Sequence, residues 1–210
     1  MNLRQRFSLA IWHNQKGATI VEFAMVAPAL ILILLAGFDF GHRSYATSVL
    51  QGALADSARA ASVQSPVVSG SGTTLEERVE NAMKRQINPV ATPGYTLEVE
   101  QSNFYDFSGI GNPEKIVQDN DGDGNYDEDE GDCFSDLNEN GEYDLDTGRD
   151  GRGGSNDVVF YEATLTMDAL VPLANFLGGG STYTLRAETA IRNQPWGSQS
   201  TPPVVCGVAA

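Results

Sequence analysis

One long apolar segment near the start of the chain constrains its fold more than any other feature. Residues 18–37 read ATIVEFAMVAPALILILLAG and are apolar except for Thr19 and Glu22. A helix of about 20 residues spans a hydrocarbon layer of roughly 30 Å. A cleaved secretory signal has a shorter apolar part, and a buried core helix rarely runs so long without polar breaks. The length therefore predicts a membrane-crossing helix at 18–40, which Pro28 should bend locally.

The charges on either side of this segment predict its orientation. Arg4, Arg6 and Lys16 precede it, and Asp39 is the first charged residue after it. Lysine and arginine are retained on the cytoplasmic side of membrane helices. We therefore expect residues 1–17 to form a basic cytoplasmic leader and the C-terminal part to face the periplasm, with a single pass through a bacterial inner membrane.

Glu22 lies inside the apolar segment, where a carboxylate costs a few kcal/mol and calls for a partner or a function. One interpretation is that Glu22 is only a turn from the interface, where it reaches the headgroups or takes up a proton. Its neighbours favour another interpretation. Lys16 and Gly17 directly precede the apolar run, and Glu22 is the fifth residue after Gly17, as in a type IV prepilin with a short basic leader.

The string from Lys16 to Ser62 resembles the TadE-like proteins, minor pilins of the tight-adherence (Flp) pilus system. The residues that carry the resemblance are Gly17-Ala18, Val21-Glu22-Phe23-Ala24, Pro28, Phe38-Asp39-Phe40-Gly41 and the alanine-rich stretch through Ala60-Ala61. Residues 185–196, LRAETAIRNQPW, resemble the closing strand of that family.

The resemblance implies that a prepilin peptidase cuts after Gly17 and leaves Ala18 as the new N-terminus. It also implies that Glu22, followed by Phe23, pairs with the N-terminal amine of a neighbouring subunit, because such a pair offsets much of the cost of burying either charge. The implied partners are the inner membrane, other pilins and Tad pilus assembly proteins. The protein would be a minor pilin or a membrane-held assembly factor.

The remaining pattern predicts an α+β fold. The first helix should continue through 41–62, and a second helix should start at a capping box, Thr74 to Glu77, and end before Pro89. Alternating strands are predicted at 95–101, 158–167 and 183–192, in an antiparallel sheet packed on the long helix. The predicted extracytoplasmic domain covers 63–193, with a short helical turn at 169–177, and an irregular tail covers 194–210.

Acidic residues concentrate in one insert of this domain, at 119–150. This insert holds 14 of the chain's 28 acidic residues and only one basic residue, Arg149, in a chain whose net charge is -15. Nucleic-acid binding depends on lysine and arginine, so this charge argues against a nucleic-acid partner and favours cations. Such a run is usually solvated and disordered, but here the order of its residues predicts structure.

The first half of the insert matches a calcium loop. The glycine expected at position 6 is Gly124, and Asn125 would offer its backbone carbonyl at position 7. The side-chain ligands expected at positions 1, 3, 5, 9 and 12 are Asp119, Asp121, Asp123, Asp127 and Glu130.

The pattern recurs seventeen residues later, with Gly141 at position 6. Thr147 occupies position 12, where a bidentate glutamate is expected, so this loop should bind calcium more weakly. The candidate ligands of the second loop are Asp136, Asn138, Asn140, Glu142 and Asp144. Long amphipathic flanking helices are missing, so the pair resembles the calcium loops of secreted bacterial repeats and thrombospondin-type modules. We expect structural calcium as the cofactor.

Cys133 lies between the two loops and Cys206 lies in the tail. An oxidising compartment would favour a disulfide between them, and two separate thiols are the alternative.

An enzyme is not expected. The two histidines, His13 and His42, flank the apolar segment, and no phosphate loop, nucleophile elbow or zinc motif is present. No small-molecule substrate is expected either. The alternative function is a membrane-anchored, calcium-dependent binding or adhesion module that never enters a filament.

Overall fold

The computed structural model describes residues 17–68, 70–173, 175 and 178–208 of the 210-residue chain. The basic leader expected at 1–17 lies outside the described residues except for Gly17, and so does part of the helical turn expected at 169–177. The described chain forms two compact units. One consists of the first helix up to Ser44 with Ala169–Ser181, and the other of residues 45–168 with 182–208.

Helix α1 spans Ala18–Ala61 and confirms the predicted long N-terminal helix. It is long and apolar enough to cross a membrane, and none of its most apolar stretch is buried within the structure. Large side chains on this stretch are exposed, among them Ile20 at 71%, Met25 at 79% and Ile33 at 70%. Exposed apolar surface of this extent marks a site of contact with lipid or with other proteins.

The predicted second helix, α2, spans Leu75–Ile87. The capping box is present: the Glu77 N–H donates to Thr74 Oγ1 over 3.2 Å, and a Glu77 carboxylate oxygen accepts from the Thr74 N–H. These bonds satisfy donors that the first turn of a helix leaves without partners. The buried face of α2 consists of Val79, Ala82, Met83 and Ile87.

The main sheet is antiparallel and has the strand order β4-β1-β5-β6. Its strands are β1 (Thr96–Phe104), β4 (Arg149–Asp150), β5 (Val158–Asp168) and β6 (Thr182–Arg192). The predicted three strands are β1, β5 and β6, so the α+β class is confirmed. The register pairs Leu97 with Leu165, and Leu165 in turn with Leu185. One face of the sheet therefore presents a continuous apolar row.

The core of the second unit lies between this face and the helices. The C-terminal part of α1 contributes Ala46, Leu50, Ala53, Leu54, Ala58 and Ala61, which recur every three or four residues. Alternate residues of β5, from Val159 through Tyr161 to Met167, face them. Burial raises the pKa of Tyr161 to about 12, so its side chain stays neutral in the core.

A second, three-stranded sheet differs from the prediction of a single sheet and an irregular tail. It has the order β2-β3-β7 and is formed by β2 (Lys115–Gln118), β3 (Cys133–Ser135) and β7 (Val204–Cys206). Two of these strands have three residues each, which is too short to display an alternating pattern. The sheet joins the acidic insert to the C-terminal tail.

Candidate functional site

The acidic insert is built as two successive loops that flank β3. Residues 119–130 form the first loop, which ends in a 3₁₀ turn at Glu128–Glu130, and residues 136–147 form the second. Position 6 of each loop is a glycine with φ +84°, Gly124 and Gly141. Side chains other than glycine rarely adopt this conformation, so both loops need glycine at this position.

Three carboxylates of the first loop lie close together near its start. Oxygens of Asp119, Asp121 and Asp123 all lie within 4.8 Å of one another. Asp119 accepts from the N–H groups of Gly122 and Gly124, over 2.7 and 2.9 Å. Asp121 and Asp123 each accept from the N–H two residues ahead, a turn that their short side chains favour. Backbone donors thus hold three carboxylates beside one another.

The surroundings of two carboxylates in the first loop shift their pKa values. The N–H groups of Gly122 and Gly124 hold the pKa of Asp119 below its usual value, so its carboxylate is ionised at neutral pH. The charge of Asp121, followed by burial and the charges of nearby aspartates, raises the pKa of Glu130. This raised pKa reflects the concentration of negative charge in the loop, whereas the group of carboxylates within 4.8 Å of one another is that of Asp119, Asp121 and Asp123 and does not include Glu130. The carboxylate oxygens present are those that calcium prefers.

The second loop has a hydrogen-bond pattern close to that of the first. Asp136 accepts from the N–H groups of Asn140 and Gly141, over 3.1 and 2.8 Å. Asn138 and Asn140 each accept from the N–H two residues ahead. The Nδ2 groups of both asparagines donate to Asp144 Oδ2. Positions 1, 3, 5 and 9 of this loop are therefore brought together. Glu142, at position 7, donates its backbone N–H to the side chain of Asn140.

Position 12 of the second loop bonds to a segment outside the loop. Thr147 is buried and its hydroxyl donates to the Gly109 carbonyl over 3.1 Å. The second loop therefore has fewer anionic oxygens than the first, in agreement with its sequence.

Two buried carboxylates that the sequence analysis missed hold these loops. Asp132 accepts from the N–H groups of Asn120 and Asp127, over 2.9 and 3.0 Å. These donors are positions 2 and 9 of the first loop. Asp132 is fully buried, with 0% of its surface exposed.

Glu114 does the same for the second loop. It accepts from the N–H groups of Leu137 and Asp144, over 2.6 and 3.2 Å, again positions 2 and 9. Burial raises the pKa of Glu114 in spite of these donors. Glu114 precedes Leu137 by 23 residues, so no local pattern indicates this contact. Asp132, which directly follows the first loop, could have been suspected from its place in the acidic run.

Three aromatic rings join the two loops. Tyr126 and Tyr143, both at position 8, stack with ring centroids 4.6 Å apart and planes 19° apart. Phe134 of β3 meets them edge-on, at 5.0 and 5.5 Å. Offset stacks and edge-to-face pairs contribute about 0.5–1.5 kcal/mol each beyond area burial. The loops therefore form one packed pair.

Cys133 and Cys206 form a disulfide between β3 and β7, where they lie directly opposite each other. Two backbone bonds flank it: the Asp136 N–H donates to the Pro203 carbonyl, and the Gly207 N–H donates to the Asp132 carbonyl. The C-terminal tail is thereby attached to both loops.

The predicted assembly residues lie at the start of α1. Gly17 directly precedes the helix, and Ala18 is its first residue. Glu22 and Phe23 are exposed in the second turn, Phe23 at 66%. They belong to a different unit from the acidic loops, and the two groups of residues are separate sites.

These features define a class: an α+β protein with one N-terminal helix suited to a membrane and an acidic loop pair that a disulfide links to the C-terminal tail. The family model of TadE-like proteins matches residues 17–59, and this match confirms the resemblance inferred for that segment. The match suggests a component associated with the Tad pilus. Among curated proteins and solved structures, no significant match to the chain was found.

Proposed function

We propose that the protein is a minor pilin or membrane-held assembly component of the tight-adherence pilus, with a structural rather than an enzymatic role. The observation that carries this proposal is the TadE-like match over residues 17–59, which includes Gly17 and Glu22. The exposed apolar stretch of α1 supports a single-pass anchor in the inner membrane. The N-terminus is then cytoplasmic and the loop pair periplasmic, since Arg4, Arg6 and Lys16 precede the span.

Assembly depends on the glutamate at the start of α1. After cleavage behind Gly17, the amine of Ala18 is the N-terminus, and Glu22 of one subunit pairs with that amine in a neighbour. Both charges lie in an apolar surrounding, where an unpaired charge is expensive. Pairing therefore favours the assembled state over the separate subunits.

Replacing Glu22 with alanine is expected to reduce incorporation of the protein into pili strongly, while membrane insertion persists because the span becomes more apolar. The measurement is the amount of protein in sheared pili relative to the membrane fraction. Thr19→Ala is the matched control. Thr19 lies three residues before Glu22, on the same side of the helix, and its replacement removes no charge, so this variant should enter pili normally. Equal incorporation of the Glu22 variant and the control would remove the pairing role.

The alternative function, a membrane-anchored calcium-dependent binding or adhesion module, is favoured by the ordered loop pair. N-terminal sequencing of the mature protein distinguishes the two. A chain that starts at Ala18 and is recovered in sheared pili supports the pilin. An intact chain found only in the membrane supports the anchored module.

The loop pair binds structural calcium in this proposal. The first loop would hold one ion through the side chains of positions 1, 3, 5, 9 and 12 and the carbonyl of Asn125, and the ion would neutralise carboxylates that otherwise repel one another. The second loop, without a carboxylate at position 12, would bind more weakly. What supports this proposal is the convergence of the Asp119, Asp121 and Asp123 carboxylates within 4.8 Å and the glycine at position 6 of each loop.

Calorimetric titration of the detergent-solubilised full-length chain is expected to give binding heat at about 0.1–1 mM calcium, the range common for extracellular sites. Asp121→Ala should remove the tighter phase, because it deletes the position 3 ligand. Asp129→Ala is the matched control: it removes the same charge from an exposed side chain outside the ligand positions. Calcium binding is rejected if the wild-type chain gives no heat at millimolar calcium, or if both variants behave alike.

A further inference from the structure

The connection between β5 and β6 is unusually apolar for a loop. Residues 169–181 read ALVPLANFLGGGS and contain no charged residue, although 20% of the chain is charged. Leu170 is 43% exposed, and Val171 and Leu173 are partly exposed. Loops that face water are ordinarily polar. The composition therefore indicates that something other than water covers this loop.

A hydrogen bond gives the position of the loop along α1. The Val171 N–H donates to Asp39 Oδ1 over 3.2 Å. Asp39 is the first charge after the apolar segment, and charged residues mark the level at which a spanning helix leaves the hydrocarbon. Residues 169–181 also form one compact unit with α1 up to Ser44. The loop is thus held at the exit of the span.

The neighbouring surface of α1 has the same character. Phe38 and Phe40, on either side of Asp39, are 63% and 72% exposed. Phenylalanine and leucine are side chains that bury themselves at the boundary between headgroups and acyl chains. Apolar side chains are therefore exposed both in the loop and on either side of Asp39, the residue to which the loop is hydrogen-bonded.

We propose that residues 169–173 insert into the headgroup layer of the periplasmic leaflet, so that Leu170 contacts lipid beside the membrane-spanning helix. This inference rests on the proposed membrane anchor and its orientation. The loop adds a second point of membrane contact to the domain, and the bond to Asp39 fixes where along the helix that contact is made. The position of the loop beside Asp39, where the apolar segment ends, favours lipid over a neighbouring subunit as the occupant.

The test places a polarity-sensitive fluorophore on single added cysteines in the full-length protein, with the native disulfide verified by mass spectrometry. The variants are Leu170→Cys, Ile33→Cys as a probe within the span, and Ser198→Cys as an exposed control beyond the end of β6. Each is reconstituted in vesicles of phosphatidylethanolamine and phosphatidylglycerol, with and without nitroxide-labelled lipid.

We expect the probes at positions 170 and 33 to show blue-shifted emission and quenching by the lipid nitroxide. The probe at position 198 should show neither effect. Emission at 170 that resembles the control, while 33 is quenched, would overturn the loop proposal and leave the anchor intact. In another outcome, the probe at 170 is shielded from water but is not quenched by lipid nitroxide, and it becomes exposed when the protein is diluted in the vesicles. This result would assign the loop to a neighbouring copy and would also overturn the proposal. Absence of quenching at 33 would overturn both the anchor and the loop proposal.

Discussion

Replacing Cys133 and Cys206 together with alanine is expected to lower the free energy of unfolding of the unit that contains them by about 4 kcal/mol. The disulfide closes a loop with a sequence separation of 73 residues. Its removal lets the unfolded chain explore many more conformations, which in the chain-entropy model is the main origin of disulfide stabilisation. β7 has only three residues and would then be attached mainly by backbone hydrogen bonds.

Chemical denaturation of the purified chain, with and without reductant, measures this effect. The wild-type protein treated with reductant should unfold at the same denaturant concentration as the double variant, and reductant should not change the variant further. If the oxidised wild-type protein and the variant unfold together, the bridge contributes nothing to stability. Loss of the β7 attachment should also expose the tail to proteolysis, which provides a second measurement.

Replacing Asp132 with alanine is expected to cost about 3 kcal/mol in unfolding free energy, because it removes the charged acceptor of two part-buried backbone hydrogen bonds. The donors are the N–H groups of Asn120 and Asp127, at positions 2 and 9 of the first loop. Asp132 is fully buried, so water does not readily replace the lost carboxylate. The first loop should lose its conformation before the main sheet unfolds.

Asp129→Ala is the matched control for this prediction. It removes one negative charge from the same crowded segment, so any relief of repulsion is common to both variants. Its side chain is exposed, and substitutions of this kind usually change stability by less than about 0.5 kcal/mol. Denaturation compares global stability, and amide hydrogen exchange at Asn120 and Asp127 reports the loop itself. Equal stability and equal exchange in the two variants would contradict the assigned role of Asp132.

The same comparison separates loop structure from calcium binding. Asp132 is not among the calcium ligands proposed for the first loop; it acts on the backbone that carries them. Its replacement is expected to lower calcium affinity indirectly, whereas Asp121→Ala removes a ligand and leaves the backbone acceptor in place. A loop that exchanges normally but gives no calorimetric signal would indicate lost ligands, and one that exchanges fast would indicate lost support.

Local sequence patterns were sufficient to predict the helices and strands whose residues follow a regular pattern. The apolar run from Ala18 identified α1, and alternation identified β5 and β6. The order of acidic residues and glycines identified the two loops. In each case the information lies within about 20 neighbouring residues or fewer, because helix, strand and turn geometry is set locally.

Tertiary structure alone decided how those loops are held. The partner of the second loop is Glu114, which lies 23 residues before Leu137 in sequence. The stack of Tyr126 on Tyr143 and the pairing of β3 with β7 also join distant segments. A buried N–H must find an acceptor, but nothing local specifies which residue supplies it. The sequence by itself identified the long apolar helix and the two loop motifs. Only the folded chain identified the buried carboxylates and the stacked rings that hold the loops, and it decided that Cys133 and Cys206 form a disulfide rather than remain separate thiols.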